Sequence, residues 1–312
     1  MTQPKVSVII LHLSDADGLL ECLASLGRVS YANFDIFVIH NGPESAELEK
    51  RLLPFSERLI EIIHIGNNLG FSVGNNIGIK RALEKGAEYV FLLNDDTVVG
   101  EDFLNILMDA AQKNPLAGTL GAEVRYFAER ERISFSGALF DPLSCRFTFP
   151  RSGELAKGSA GLPLIESDYI TGCALLVSKK LIDTVGLLDE RFFLYWEDTD
   201  WGLRAEKAGF KNLVIPSAHV WHKVSVSSGG MDSLIRVYHK TRSHLLLAKL
   251  HAPDALTKLH IQFIRDIAWL LLKSDDRNRF KKARAYIAAI KDYHKGKADK
   301  GPQWIWNGYD KN

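Results

Sequence analysis

Asn94-Asp95-Asp96-Thr97 is the segment of this sequence whose residue types most directly demand a partner. It follows an apolar run, Tyr89 to Leu93, that reads as a buried strand bounded by turn chemistry. Two adjacent carboxylates at the end of a buried strand repel each other and lose hydration. A hard divalent cation removes both costs, and a metal-bound diphosphate would complete its oxygen shell. Ligands of open α/β sheets sit beyond the carboxyl ends of the strands, where these aspartates fall. The pair therefore points to chemistry on a nucleotide diphosphate. Taken alone, a solvated turn with helix-capping carboxylates explains it equally well.

A second cluster, Trp196-Glu197-Asp198-Thr199-Asp200-Trp201, sets three carboxylates between two tryptophans, ahead of a helical stretch through Leu203, Arg204 and Ala208. The macrodipole favours acidic residues at a helix N-terminus whatever their role. The aromatic company weighs against an ordinary exposed cap. A carboxylate beside aromatic rings is partly desolvated, which raises its proton affinity and suits a general base. His219 and His222 alternate with apolar residues in Ala218 to Lys223. A lone histidine is more often structural, but imidazole with carboxylate and phosphate oxygens suits a Mg2+ or Mn2+ site. Gly66 to Asn76 gathers glycines with Asn67, Asn68, Asn75 and Asn76 before a helix, where backbone donors meet an anion-attracting N-terminus. A tight strand-to-helix loop explains the glycines better than the asparagines.

These residues need a frame. Val6 to Leu11, Phe34 to Ile39, Leu59 to Ile65 and Tyr89 to Leu93 read as strands. They alternate with helical patterns through Leu19 to Leu26, Ser45 to Leu53 and Phe71 to Lys85, so a parallel, right-handed βαβ sheet is the natural solution. Glu101 to Lys113 reads as a further helix. From Leu116 to Ile165 the pattern turns to short β-type runs (Gly118 to Tyr126, Ile133 to Phe140, Arg146 to Phe149) and a Gly- and Ser-rich stretch, Ser152 to Gly161. Tyr169 to Val177 reads as strand and Lys179 to Val185 as a short helix. Ser233 to Lys249, Leu256 to Leu272 and Phe280 to Ile290 read as helices, so a boundary near Gly229-Gly230 separates a mixed α/β part from a helical tail.

Bulk composition excludes more than it selects. The 312 residues are 46% hydrophobic, enough for a sizeable core, and the formal net charge of +1 names no partner. Without an aromatic-interleaved basic stripe or zinc spacing, nucleic acid is not expected as a partner. Cys22, Cys145 and Cys173 are widely spaced and odd in number, which suggests buried thiols in a reducing cytosol. The first strand begins almost at once, without a signal-type segment, and the longest apolar candidate, Ile267 to Leu272, is far too short to span a bilayer. A cytoplasmic location is expected.

Taken in order, these segments resemble the inverting family 2 glycosyltransferases, in particular their rhamnosyltransferase-like branch. The resemblance runs from Val6 to about Gly230: Val6-Ser7-Val8-Ile9-Ile10, Asn68-Leu69-Gly70-Phe71, Gly74-Asn75-Asn76, Leu93 to Thr97, Thr171 to Leu175, Gly186 to Glu190 with Phe192-Phe193, Glu197 to Asp200 with Leu203-Arg204 and Ala208-Gly209, and His222. It implies a GT-A fold, a Rossmann-like, mostly parallel sheet flanked by helices. Residues 1–115 would form the nucleotide-sugar half, 116–230 the acceptor half and 231–312 a helical extension. It implies Asp96 and His222 as ligands of Mg2+ or Mn2+, and Asp198 as the catalytic base. Glu197, Asp200 and Trp196 would orient the acceptor or the base. His40, Asn41, Asn68, Gly70, Phe71, Asn75, Asn94 and Asp95 would bind the nucleotide sugar. The implied partners are a dTDP-rhamnose or UDP-sugar donor and a glycan or lipid-linked glycan acceptor.

Two departures from the family pattern fall where the base and ribose should bind. His40 stands where an aspartate usually precedes the asparagine, and the first strand ends His12-Leu13-Ser14 instead of in a polar-aromatic-asparagine sequence. They leave the donor open and make a catalytically silent nucleotide-sugar-binding subunit the non-enzymatic alternative. A sugar nucleotidyltransferase would want a basic triphosphate loop after the first strand, and Ser14-Asp15-Ala16-Asp17-Gly18 offers no lysine or arginine. In the tail, Tyr238 and Arg242 match a tyrosine-arginine element of relatives. The basic face of Phe280 to Ile290 reads as a solvated helix surface or as peripheral attachment to anionic lipid at the cytoplasmic membrane.

Overall fold

A computed structural model of the chain describes residues 3–14, 16–156, 158, 161–223 and 233–307. The first half alternates β1 (Val6–His12), α1 (Ala16–Leu26), β2 (Phe34–His40), α2 (Ala46–Leu52), β3 (Leu59–His64), α3 (Gly70–Glu84) and β4 (Tyr89–Asn94). The near-continuous apolar runs of β1, β2 and β4 are buried, as a sheet covered on both faces requires. These strands lie parallel in the order β4-β1-β2-β3, so their carboxyl ends share one edge.

The second half adds β5 (Thr97–Val99), α4 (Phe103–Lys113), β6 (Ala117–Tyr126), β7 (Ile133–Phe135), β8 (Leu139–Asp141), β9 (Arg146–Thr148), β10 (Ile165–Ser167), β11 (Ala174–Ser178), α5 (Lys179–Val185), α6 (Glu197–Lys207) and β12 (Lys211–His222). β11 runs antiparallel between β4 and β6, and β12 lies parallel to β6 and closes onto β5. The sheet reads β10-β12-β6-β11-β4-β1-β2-β3. The expected run Ile133 to Phe140 is broken at Gly137, whose φ of +103° lies in a region that only glycine enters without strain. The expected strand Tyr169 to Val177 pairs only from Ala174, which leaves Thr171 to Cys173 as a loop over the sheet edge.

The tail is helical: α7 (Leu234–His251), α8 (Leu256–Leu272) and α9 (Arg279–His294). The expected boundary at Gly229-Gly230 lies outside the described residues. On either side of it the packing is shared. Phe192 and Leu203 are buried with Leu245, Leu247 and Phe263, and Phe193 with Ile235, Tyr238 and Trp306.

Candidate active site

A cleft of about 660 Å3 opens at the carboxyl ends of β1, β2 and β4. Asn41, Asn94 and Asp95 reach it from the strand ends, Asn68, Gly70 and Phe71 from the entry to α3, and Thr171 to Cys173 from the loop before β11. Glu197 and Asp198 open α6 against it, and His222 ends β12 there. Nine residues singled out in the sequence therefore share one cavity: Asn41, Asn68, Gly70, Phe71, Asn94, Asp95, Glu197, Asp198 and His222.

Strand register brings the late histidine to the early aspartate. Antiparallel pairing sets His222 opposite Thr97, which puts His222 Nε2 2.9 Å from Asp96 Oδ1. Asp96 is 2% exposed, and neither of its carboxylate oxygens has a hydrogen bond of good geometry. A buried carboxylate left this way is costly. Carboxylate and imidazole are residue types that could hold a hard divalent cation, and among the described residues no third His, Cys, Asp or Glu joins them in a ligand cluster. Burial opposes a charge on His222, but Cys173 and Asp96 hold its pKa well above the ordinary imidazole value. Asp95 turns the other way, its Oδ2 2.8 Å from His12 Nδ1.

Asp198 is held by the backbone. Gly172 N–H donates to Oδ2 at 2.8 Å, and Thr199 N–H to Oδ1 at 2.7 Å. Burial raises its pKa, while these donors and the charge of Lys240 pull it down. Glu197 differs: burial and the neighbouring charge of Asp198 push its pKa well above the carboxylate range, and Oε2 has no partner. Burial raises both carboxyls, but Asp198 is held by backbone donors while Glu197 keeps an oxygen without a partner. The turn that presents them is unusual, because Tyr195 and Trp196 both adopt positive φ (69° and 75°). Such backbone persists only where its surroundings enforce it. Here Trp196 Nε1 donates to Lys240 O at 3.1 Å, and its ring stacks on His244 at 4.5 Å.

The loop before α3 is held by its asparagines. Asn41 Oδ1 accepts from Leu69 N–H, and Asn68 Oδ1 from Gly70 N–H. Gly70 (φ +86°) has no room for a side chain, since a Cβ would stand 2.4 Å from Phe193 O. Asn76 clamps the backbone of Leu188 from both sides, which accounts for part of the asparagine excess.

Five expected site residues do not line the cleft, and one of them is Asp96, which is buried against His222. Trp196 anchors its turn to α7 as described. Asp200 is buried in an ion pair with Arg204 (2.7 Å) and lies 2.8 Å from His251. Asn75 donates to Phe71 O within its own helix. His40 lies beneath the floor, stacked on His12 at 5.5 Å, with Nδ1 2.9 Å from His64 Nδ1. Arg236, Lys240 and Trp306, which no sequence motif marks, wall the cleft from the tail. Their only signal was two cations at i and i+4 of a helix otherwise rich in buried residues.

Residues 7–183 match the family model described as glycosyl transferase family 2. The chain is 27% identical over 248 residues to the dTDP-rhamnosyl transferase RfbF of Shigella flexneri, covering 76% of this chain and 79% of that one. It is 26% identical over 266 residues to the N-acetylglucosaminyl-diphospho-decaprenol L-rhamnosyltransferase of Mycobacterium tuberculosis, covering 78% and 84%. Among solved structures it resembles GalNAc-T7 with UDP, GalNAc and Mn2+ (TM-score 0.64, 14% identity), covering 99% of this chain and 57% of that longer one. It also resembles S. aureus TarS 1-349 (TM-score 0.56, 15% identity, 96% and 82% covered). The fold is GT-A, with the helical extension.

Proposed function

The chain belongs to glycosyl transferase family 2, and from that premise we propose that it is a metal-dependent inverting enzyme that moves a sugar, with rhamnose leading, from a nucleotide-diphosphate donor to a hydroxyl of a glycan or lipid-linked glycan. The observation that carries this reading is that His222, 2.9 Å from the buried Asp96, shares one cleft with the backbone-held carboxylate of Asp198. The rhamnosyltransferase names of two relatives support the choice of sugar.

In this reading Asp96 and His222 would hold the cation, which when bound neutralises charge growing on the leaving diphosphate. Asn41, Asn68 and the entry to α3 flank the donor. Asp198 takes the proton of the acceptor hydroxyl as that oxygen attacks the anomeric carbon, and the carbon–diphosphate bond breaks on the opposite face. One displacement inverts configuration without a covalent enzyme intermediate. Glu197, kept neutral by burial, donates a hydrogen bond to orient the acceptor.

A thermal-shift panel of dTDP- and UDP-sugars with and without Mn2+ tests the donor assignment. A donor at about a hundred times its Kd stabilises by roughly 2.7 kcal/mol. Stabilisation by dTDP-rhamnose that needs Mn2+ is the expected result. Silence with every donor would turn the reading toward a subunit without catalysis.

A further inference from the structure

The side of α8 that faces solvent is built like a buried one. The helix packs Leu259, Phe263 and Leu270 inward, so its opposite side should be polar. Instead Ile261, Ile264 (60% exposed), Trp269 (56%), Leu271 and Leu272 (81%) project outward. At 3.6 residues per turn these five fall within an arc of roughly 160°. Phe280 (63%) continues the exposed apolar surface at the start of α9, across the short turn. Scattered apolar side chains need no explanation, but a contiguous exposed stripe marks an interaction site.

Charge selects the partner. Lys258, Arg265, Lys273, Arg277 and Lys281 are exposed among these apolar residues. Residues 257–291 hold nine Lys and Arg against three Asp, a net +6, and since the whole chain carries +1 the remainder carries −5. The core of a protein–protein interface excludes lysine. Apolar side chains and a tryptophan interleaved with cations suit the headgroup layer of an anionic bilayer, where the rings and alkyl stems sink while the charges meet phosphate. Among the described residues no helix is long and apolar enough to cross a membrane, so such a face would lie on the surface.

We propose that the outward face of α8, with the start of α9, docks the protein on an anionic phospholipid surface. This deepens the glycosyltransferase reading by naming where a lipid-anchored acceptor would be met, but binding is read without any sugar and its outcome does not depend on that reading. The test is co-sedimentation of the full chain with vesicles of phosphatidylcholine alone and of phosphatidylcholine with phosphatidylglycerol. Binding to the anionic vesicles only, weakened by salt, is expected. Trp269→Ser combined with Leu272→Ser should lower the partition coefficient roughly tenfold or more, and Lys273→Glu combined with Lys281→Glu should also weaken it. All four residues are exposed, so circular dichroism and the thermal midpoint should hold. Equal sedimentation of parent and variants, or no preference for the anionic vesicles, would overturn the proposal. So would a concentration-dependent dimer in sedimentation velocity that the apolar double variant dissolves, which would give the face to a second copy.

Discussion

Adjacent carboxylates Glu197 and Asp198 are separated by their environments, and substitution should separate them in function. Asp198 keeps three donors and a nearby cation, whereas Glu197 is buried with one oxygen unpartnered. Asp198→Asn removes the proton acceptor but not the hydrogen-bond frame, so transfer should fall roughly 100-fold or more while donor-induced thermal shifts persist. Glu197→Gln keeps a neutral group of the same shape that can donate a hydrogen bond to the acceptor, so under the proposed role activity should stay within about tenfold of the parent. Equal losses in the two variants would reverse the assignment. Asp96→Asn should abolish any Mn2+-dependent part of the thermal shift. Beneath this cleft lies a device that no residue type announces. His12, His40 and His64 end three neighbouring parallel strands in register. His64 Nε2 lies 2.9 Å from Glu49 Oε1, an acceptor, so His64 donates there and its Nδ1 receives the proton of His40 Nδ1. At the other end His12 donates to Asp95. Burial, with His12 and His64 alongside, lowers the His40 pKa to about 4. Between the ordinary imidazole value of about 6.5 and this one, the unfolded chain binds a proton that the folded chain refuses. Stability should therefore fall as pH drops through that window, and His40→Asn should flatten the slope in urea titrations at stepped pH.

Elements explain which parts of the site were legible in sequence. The strand-end aspartates and the α6 carboxylates were, because both sit at element boundaries that apolar periodicity marks. β12 was not. Pro216 interrupts its apolar run and argues against a strand, yet the pairing with β6 steps from Ile215–Ala122 directly to His219–Glu123, so Pro216 to Ala218 are absorbed in a bulge. Without that strand His222 has no visible route to Asp96. The histidine ladder was hidden for a related reason: register between strands is not written in any one of them, and His40 stood out only as a departure from a pattern. α7 belongs to the helical tail by sequence pattern, yet it braces the turn ahead of α6 through Trp196 and sets Arg236 and Lys240 against the cleft. Burial and the charge of Arg236 lower the Lys240 pKa to about 8, with Asp198 opposing. Lys240→Met should then raise the pKa of Asp198, because a cation that favours its charged form is gone. The acidic limb of the kcat/KM profile should move to higher pH with the melting temperature little changed. An unmoved limb would mean that the lysine serves substrate alone.

At the scale of the molecule, the question is whether the GT-A part stands without its helices. The sequence marks a change of element type near residue 230, which suggests separable units. Packing argues the other way. α7, α8 and the residues beyond α9 bury Phe192, Phe193 and Leu203 of the first part. Ser243 Oγ donates to Leu194 O at 3.1 Å, and His251 covers Asp200 at 2.8 Å. Exposing three such apolar side chains costs on the order of 5–9 kcal/mol, comparable to the whole stability of an ordinary domain at roughly 5–15 kcal/mol. A chain ending at Lys223 should therefore lose its cooperative melt, bind a hydrophobic dye and give no donor-induced shift. The loss falls on the chemistry as well as on the core, because Phe193 and Leu194 lie just before the positive-φ turn that presents Asp198, and α7 holds that turn from behind. A truncated chain that melts sharply and still answers to donor would show instead that the catalytic half carries its own core, with the helices serving only the surface that α8 exposes.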